Sequence, residues 1–298
     1  MRNAFMEELV IAARKNPQIA LIVGDLGYSV IEPFADEFPD RFINAGVAEQ
    51  NMTGLAAGMA SEGYHVFTYS IANFPTFRCA EQIRNDVDYH KLPVTVVSVG
   101  GGLTYGALGY SHHAVQDYAL MRAFPNMLIA APGDPMEVRA CMRYLVAHPG
   151  PSYLRLGKAG EPNFHSAPPD AEPGHWLKVR EGNDKQVLLS TGAGLQIAMD
   201  LTNTQVYADR TVYSMPLWSM EAKSTQADQL QDHEDVMTVE DHLQDGGFGS
   251  WLLESVANED GLTQRIRIRG LDPVVCGTVG SQVALNELGL SKVMESKK

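Results

Sequence analysis

Cysteine is scarce in this chain. Its three residues, Cys79, Cys141 and Cys276, are far apart, odd in number and free of C-x-x-C spacing. That excludes a disulfide framework and predicts reduced, buried thiols in a cytoplasmic protein. Basic clusters are missing too: nothing longer than the terminal Lys297-Lys298 pair occurs, and the formal charge is −13. Nucleic acid and anionic membrane surfaces would repel such a chain, so neither is expected as a partner. No apolar run approaches a membrane span. The opening residues, Met1-Arg-Asn-Ala-Phe-Met-Glu-Glu-Leu-Val10, carry acids where a signal peptide would have its apolar core. His112-His113 is the only adjacent His pair and lacks a third ligand at zinc spacing, so no metal site is expected on this chain.

What is present is alternation. At 298 residues, 45% hydrophobic and 20% charged, the chain has the length for two domains and the composition of a globular protein. Apolar spacing predicts helices over Asn3–Lys15, Met52–Ser61, Cys79–Tyr89 and Met136–Ala147. Strands are predicted over Ile19–Val23, Phe42-Ile43, His65–Tyr69, Val94–Val99 and Met127–Ala131. A Pro-rich, aperiodic stretch over 159–175 reads as a linker. Alternation then resumes with strands at Gln186–Ser190, Val236–Glu240 and Arg265–Ile268, and helices at Gly192–Leu201 and Trp251–Ala257. These β-α-β units predict two consecutive three-layer α/β domains with mainly parallel sheets, over 1–158 and 176–298. Ligands are then expected at the carboxyl ends of the strands.

One carboxylate stands out. Glu49, in Arg41-Phe-Ile-Asn-Ala-Gly-Val-Ala-Glu-Gln-Asn-Met52, sits between a predicted strand and an Ala/Gly-rich helix. A carboxylate there is costly to bury unless something accepts its charge or its proton. Two glycine patterns are weaker. Gly192-Ala-Gly194 follows a strand but lacks the third glycine of a dinucleotide fingerprint, with Ile197 in its place, and reads as steric. Gly24-Asp25 with Asn51 downstream only mimics a diphosphate-binding signature, since Leu26 and Met52 replace its second Gly and second Asn.

The Glu49 run resembles the glutamate motif of thiamine-diphosphate enzymes of the transketolase class. From Arg2 to about Leu290 the chain resembles the second half of a transketolase, a pyrimidine-binding domain followed by a transketolase-type C-terminal domain. The segment Val236-Met-Thr-Val-Glu-Asp-His-Leu-Gln-Asp-Gly-Gly-Phe-Gly-Ser250 is similar to that family's strand-acidic-His-Gly-Gly segment. The resemblance implies that Glu49 hydrogen-bonds a pyrimidine nitrogen and favours the imino tautomer that deprotonates the thiazolium carbon. It places Phe74 and Phe77, in Ser70-Ile-Ala-Asn-Phe-Pro-Thr-Phe-Arg78, where an aromatic residue meets the pyrimidine, and leaves open which of them stacks. It makes His112, in Gly109-Tyr-Ser-His-His113, a residue that contacts the reacting sugar and relays protons. His113 takes the place usually held by Gln. Arg2 and Ser29 match the acceptor-phosphate positions, and Lys158 stands where Arg is common, keeping the charge but losing the bidentate fork.

The diphosphate-binding domain of that family, with its metal-holding Asp and Asn, has no counterpart here. The resemblance therefore implies a split enzyme: an N-terminal subunit holding the diphosphate and its Mg2+ or Ca2+, assembled with this chain as an α2β2 heterotetramer. Where the family reads Gly-Glu-Asp-Gly before the His, this chain reads Gly106-Ala-Leu-Gly109, so Leu108 replaces an Asp that holds a substrate hydroxyl. A modified sugar, phosphorylated or not, is expected as substrate. Two alternatives stay open: a decarboxylating enzyme like deoxyxylulose-phosphate synthase or a 2-oxoacid dehydrogenase beta subunit, and a non-catalytic regulatory subunit.

Overall fold

Successive residues of a strand point to opposite faces, so an unbroken run of apolar and β-branched residues buries a strand on both sides. Ile19–Val23 (β1) is such a run, Val94–Val99 (β4) is one apart from Ser98, and both are buried throughout. The computed structural model describes residues 1–295, and the Lys297-Lys298 pair lies outside them. It joins β1 and β4 to Phe42–Asn44 (β2), His65–Ile71 (β3), Leu128–Ala130 (β5) and Ser152–Leu156 (β6) in one sheet. A further strand, Leu217–Trp218 (β10), comes from much later in the chain and gives the order β10-β5-β6-β4-β3-β1-β2. Neighbours are parallel except at that edge, where β10 runs antiparallel to β5 with Leu217 opposite Ala130.

The period of two sorts the strand residues onto two cores. Leu21, Val23, Phe67, Tyr69 and Leu154 face the helices Arg2–Lys15 (α1) and Pro135–Ala147 (α6), meeting Phe5, Leu9 and Val138. Phe5 is fully buried there, which contributes roughly 1.5–3 kcal/mol. Ile22, Val66, Val96 and Tyr153 face the other way, against Glu49–Ser61 (α3), whose Ala56 and Ala60 let the helix lie close. The same core continues into the second sheet through Val187, Leu189, Phe248 and Trp251. Trp218 and Trp251 meet at 5.4 Å between ring centroids, adding about 0.5–1.5 kcal/mol beyond burial.

The second sheet has the order β12-β11-β8-β9-β7, where β7 is Leu177–Arg180, β8 Asn183–Ser190, β9 Arg210–Ser214, β11 Asp235–Leu243 and β12 Ile266–Leu271. Only the β7–β9 pair is antiparallel. Helices Gly194–Leu201 and Phe248–Ser255 pack on its opposite faces. The fold is thus two mainly parallel α/β sheets in succession.

Local chemistry explains where sequence and structure agree or part. The helix predicted over Met136–Ala147 begins one residue earlier, because the Asp134 side chain caps it by accepting the Glu137 N–H at 2.7 Å and Pro135 needs no donor. The predicted helix over Cys79–Tyr89 is not one α-helix. It is a 3-10 turn, Phe77–Cys79, a single α turn, Ala80–Gln82, and a π-helix, Ile83–Asp88. Its last turn closes five residues back, from the Tyr89 N–H to the Arg84 carbonyl. Gly194 is steric as predicted: a Cβ there would strike the Val239 carbonyl.

Candidate active site

Every residue singled out for the site lies at or beyond the carboxyl end of the first sheet, apart from Arg2 at the start of α1. Glu49 opens α3 and is 3% exposed. Its Oε2 accepts a hydrogen bond from Arg78 Nη1 at 3.0 Å. Beside it, the fully buried Ser70 hydroxyl has no hydrogen-bond partner among the described residues. Gly24 packs against both, since a Cβ there would lie 3.4 Å from Ser70 Oγ and 3.7 Å from Glu49 Oε1. Glu49, Arg78, Val47 and Asn51 line a hollow of about 380 Å³.

From Glu49 a run of contacts crosses the sheet. The Arg78 guanidinium lies 4.3 Å from the Phe74 ring centre. Phe74 meets the His112 ring edge-on at 5.3 Å, and His112 meets Tyr105 at 6.4 Å. Lys158 Nζ lies 5.7 Å from the Tyr105 ring, and the Lys158 carbonyl accepts from Arg2 Nε at 2.5 Å. Arg2 also opposes the effect of burial on Tyr69, whose hydroxyl burial pushes up to about 12. Glu49, Phe74, His112, Lys158 and Arg2 therefore form one continuous strip.

Phe77 and Ser29 stand apart from it. Phe77 is 46% exposed on the 3-10 turn. Ser29 is exposed in the loop after β1, in a left-handed conformation at φ 67°, with its N–H donated to Glu32 Oε1 at 2.7 Å. That loop is pinned under the sheet's end by Gly27, where a Cβ would come within 2.9 Å of the Tyr69 ring. His112 makes a hydrogen-bonding contact from its ring Nδ1 to Ser111 Oγ at 3.0 Å. The neighbouring His113 points inward, buried, with Nε2 3.2 Å from the Gly106 carbonyl. Leu108 is 59% exposed on the same rim.

Sequence reasoning missed two arginines. Arg78 was visible only as the residue after Phe77. Its proximity to Glu49 comes from the irregular helix that follows it, and no spacing rule signals that. Arg155 lies inside β6 with a side chain 2% exposed. Its Nε donates to Asp117 Oδ2 at 2.7 Å, its Nη1 to Asp241 Oδ1 at 2.6 Å, and its Nη2 to the Ala114 carbonyl at 2.8 Å. Tyr153 adds a hydroxyl to Asp117 at 2.6 Å. Asp241 belongs to the acidic-His-Gly-Gly segment, so this network ties that segment to the first sheet. Its neighbour Glu240 accepts the Phe248 and Gly249 N–H groups at 2.6 and 2.8 Å, and burial pushes its carboxyl up to about 8.

Residues 1–160 match the family described as the transketolase pyrimidine-binding domain. The chain belongs to the transketolase family. It is 33% identical over 278 residues to a transketolase C-terminal section from Methanocaldococcus jannaschii, covering 92% of this chain and 87% of the relative. It is 32% identical over 276 residues to one subunit of the apulose-4-phosphate transketolase from Actinobacillus succinogenes, covering 91% and 88%. A solved structure described as a split-gene transketolase, inactive beta4 tetramer, superposes with a TM-score of 0.82 at 30% identity, over 99% of this chain and 95% of that one.

Proposed function

We propose that this chain is the C-terminal subunit of a split, thiamine-diphosphate-dependent transketolase that moves a two-carbon ketol unit between sugar or sugar-phosphate substrates, with a modified sugar preferred. The observation that carries this is the strip from Glu49 through Phe74 and His112 to Lys158 and Arg2. It sets a buried carboxylate, an aromatic face, an imidazole and two cations in the order that a cofactor ring, a reacting carbon and a terminal anion would need.

The residues fit the pyrimidine end of the cofactor. A buried carboxylate next to an unpartnered buried hydroxyl suits a ring with hydrogen-bonding nitrogens. Phe74 offers that ring a flat neighbour, and Phe77 lies further out on the rim. Among the described residues, no group of three or more His, Cys, Asp or Glu is placed to hold a metal ion. We assign the diphosphate and its Mg2+ or Ca2+ to an N-terminal partner subunit, in an α2β2 assembly. The domain limits at 158 and 176 stand as part of the same proposal.

When bound, thiamine diphosphate supplies the electron sink for breaking and remaking a carbon–carbon bond beside a carbonyl. The chain's own residues do the rest. Glu49 would hold a ring nitrogen and carry a proton at its carboxyl oxygen. His112, next to Ser111 Oγ, moves protons to and from the sugar's hydroxyl and carbonyl oxygens. Arg2 and Lys158 hold a phosphate or another anion, Lys158 as a point charge, and Ser29, which stands apart from the strip, is given to the same anion on the resemblance alone. Leu108 presents no acceptor, which disfavours a substrate with a hydroxyl at that point.

The test is reconstitution. Co-expressed with a partner carrying the diphosphate and metal ligands, the chain should bind thiamine diphosphate tightly and in a Mg2+-dependent way, and transfer ketol units without releasing carbon dioxide from pyruvate. Micromolar cofactor binding by the chain alone would overturn the split arrangement. Carbon dioxide release would replace the transketolase assignment with a decarboxylase, and a complex without cofactor would leave a regulatory subunit.

A further inference from the structure

Arg78 makes two contacts at once. Its Nη1 donates to Glu49 Oε2 at 3.0 Å, and its guanidinium plane lies 4.3 Å from the Phe74 ring centre. These are the two contacts that the proposed function gives to the cofactor's pyrimidine: a donor to the Glu49 carboxylate and a flat, electron-poor group on an aromatic face. A guanidinium is planar, delocalised and stacks on aromatic rings, so it can imitate a protonated nitrogen heterocycle in both respects.

The geometry says which Glu49 oxygen is at stake. Oε1 faces inward, toward Gly24. Oε2 is the one Arg78 holds, next to the hollow that Arg78 itself lines. A pyrimidine entering from that hollow meets Oε2 first. A ring nitrogen that shares a proton with Glu49 carries positive charge, and two cations cannot share one carboxylate oxygen without repulsion.

We infer that Arg78 is a placeholder for the cofactor's pyrimidine, holding the Glu49 carboxylate and the Phe74 ring in their binding geometry until the ring displaces it. Arg78 is able to leave: its side chain is 51% exposed, whereas Glu49's is 3% exposed. It also sits on the 3-10 turn Phe77–Cys79, ahead of the π-helix Ile83–Asp88, where the helical hydrogen-bond pattern is least regular. Arg78 is thus a positioning residue that acts before chemistry, and its effect is on cofactor entry. Because Glu49 and Phe74 are assigned to the cofactor only in the function proposed above, this role rests on that proposal.

The experiment is calorimetric titration of the reconstituted complex with thiamine diphosphate and Mg2+, for the wild type, Arg78→Ala and Arg78→Lys. A placeholder that closes the site nine times in ten weakens apparent affinity about tenfold, so Arg78→Ala should bind the cofactor about tenfold more tightly. Arg78→Lys keeps the charge, loses the flat stack, and should fall between the two. A purely structural Arg78 would give the opposite order, because its loss would loosen Glu49 and weaken binding. Equal or weaker binding by Arg78→Ala overturns the placeholder and leaves the function standing. No binding by either the wild type or the variant overturns both. Should the Ala variant lose its unfolding transition, Arg78→Gln is judged by the same order.

Discussion

Glu49 and Asp241 are both buried carboxylates held by an arginine, with exposures of 3% and 1%, but their arginines differ. Arg155, which holds Asp241, is itself buried and spends its remaining donors on Asp117, Tyr118 and the Ala114 carbonyl. Coulomb attraction to the two carboxylates outweighs the burial that opposes its charge, and its pKa lies well above the usual arginine value. Nothing there can be exchanged without leaving a charge stranded. Arg78, which holds Glu49, stands half in water, so it can move aside without being stranded itself, while the buried Glu49 must then be given another partner. The same pair of residue types thus makes a fully buried lock in one place and a half-exposed ion pair in the other. The difference lies in the solvent exposure of the cation.

Breaking the lock should have the largest effect. Arg155→Ala leaves Asp117 and Asp241 buried without their cation and should cost about 3–5 kcal/mol of stability, read as a lowered denaturation midpoint. A loss below about 1 kcal/mol would show that the network is not what joins the two sheets. Glu49→Gln keeps shape and one hydrogen bond but removes the exchangeable proton. Turnover of the complex should fall roughly 100-fold or more with the unfolding midpoint kept, and near-normal turnover would remove Glu49 from the chemistry.

A third, milder test uses pH on a buried group with no ionic partner among the described residues. His65 donates or accepts one hydrogen bond with Thr95 at 2.9 Å, and burial lowers its pKa from 6.5 to about 4. The unfolded chain therefore binds more protons than the folded one between those values. Stability should fall as pH drops from 6.5 toward 4, by on the order of 2 kcal/mol from this residue. His65→Gln should flatten that slope in acid-denaturation curves, and an unchanged slope would assign it to other groups. The smallest effect belongs to Leu108→Asp. At an exposed rim site it should alter stability by no more than about 0.5 kcal/mol. It should shift preference toward ordinary ketose phosphates, by about 1–3 kcal/mol in relative kcat/KM where bound substrate and partner subunit bury the rim and by less where it stays in water. Ordinary pentose phosphates already best for the wild type, with no shift in the variant, would sink the modified-sugar proposal alone.

Much of this was legible in the sequence, for identifiable reasons. The β-branched and apolar runs at Ile19–Val23 and Val94–Val99 had to be buried strands, and Glu49 at a strand-to-helix junction had to have a reason to be there. β6 was not read because Arg155 interrupts its apolar pattern, and only the structure shows two distant carboxylates neutralising it. β10 is two residues long and follows Pro216, which leaves no periodicity to detect. The strip from Phe74 to Lys158 depends on which loops meet at the sheet's end, and no local spacing encodes that. The Arg78 contact depends on a π-helix that shares its apolar spacing with an ordinary α-helix, as Ile83 and Val87 show.

The antiparallel strand Leu217–Trp218 also bears on how the protein is made. During synthesis, β5 emerges from the ribosome with one edge bare and stays so until the chain has been extended past Trp218. Bare strand edges pair readily with other chains. A nascent chain stalled near residue 160, where the family's pyrimidine-binding domain ends, would therefore present an adhesive edge rather than a finished domain. Cutting the gene at that family boundary should yield aggregates unless residues through Trp218 are retained.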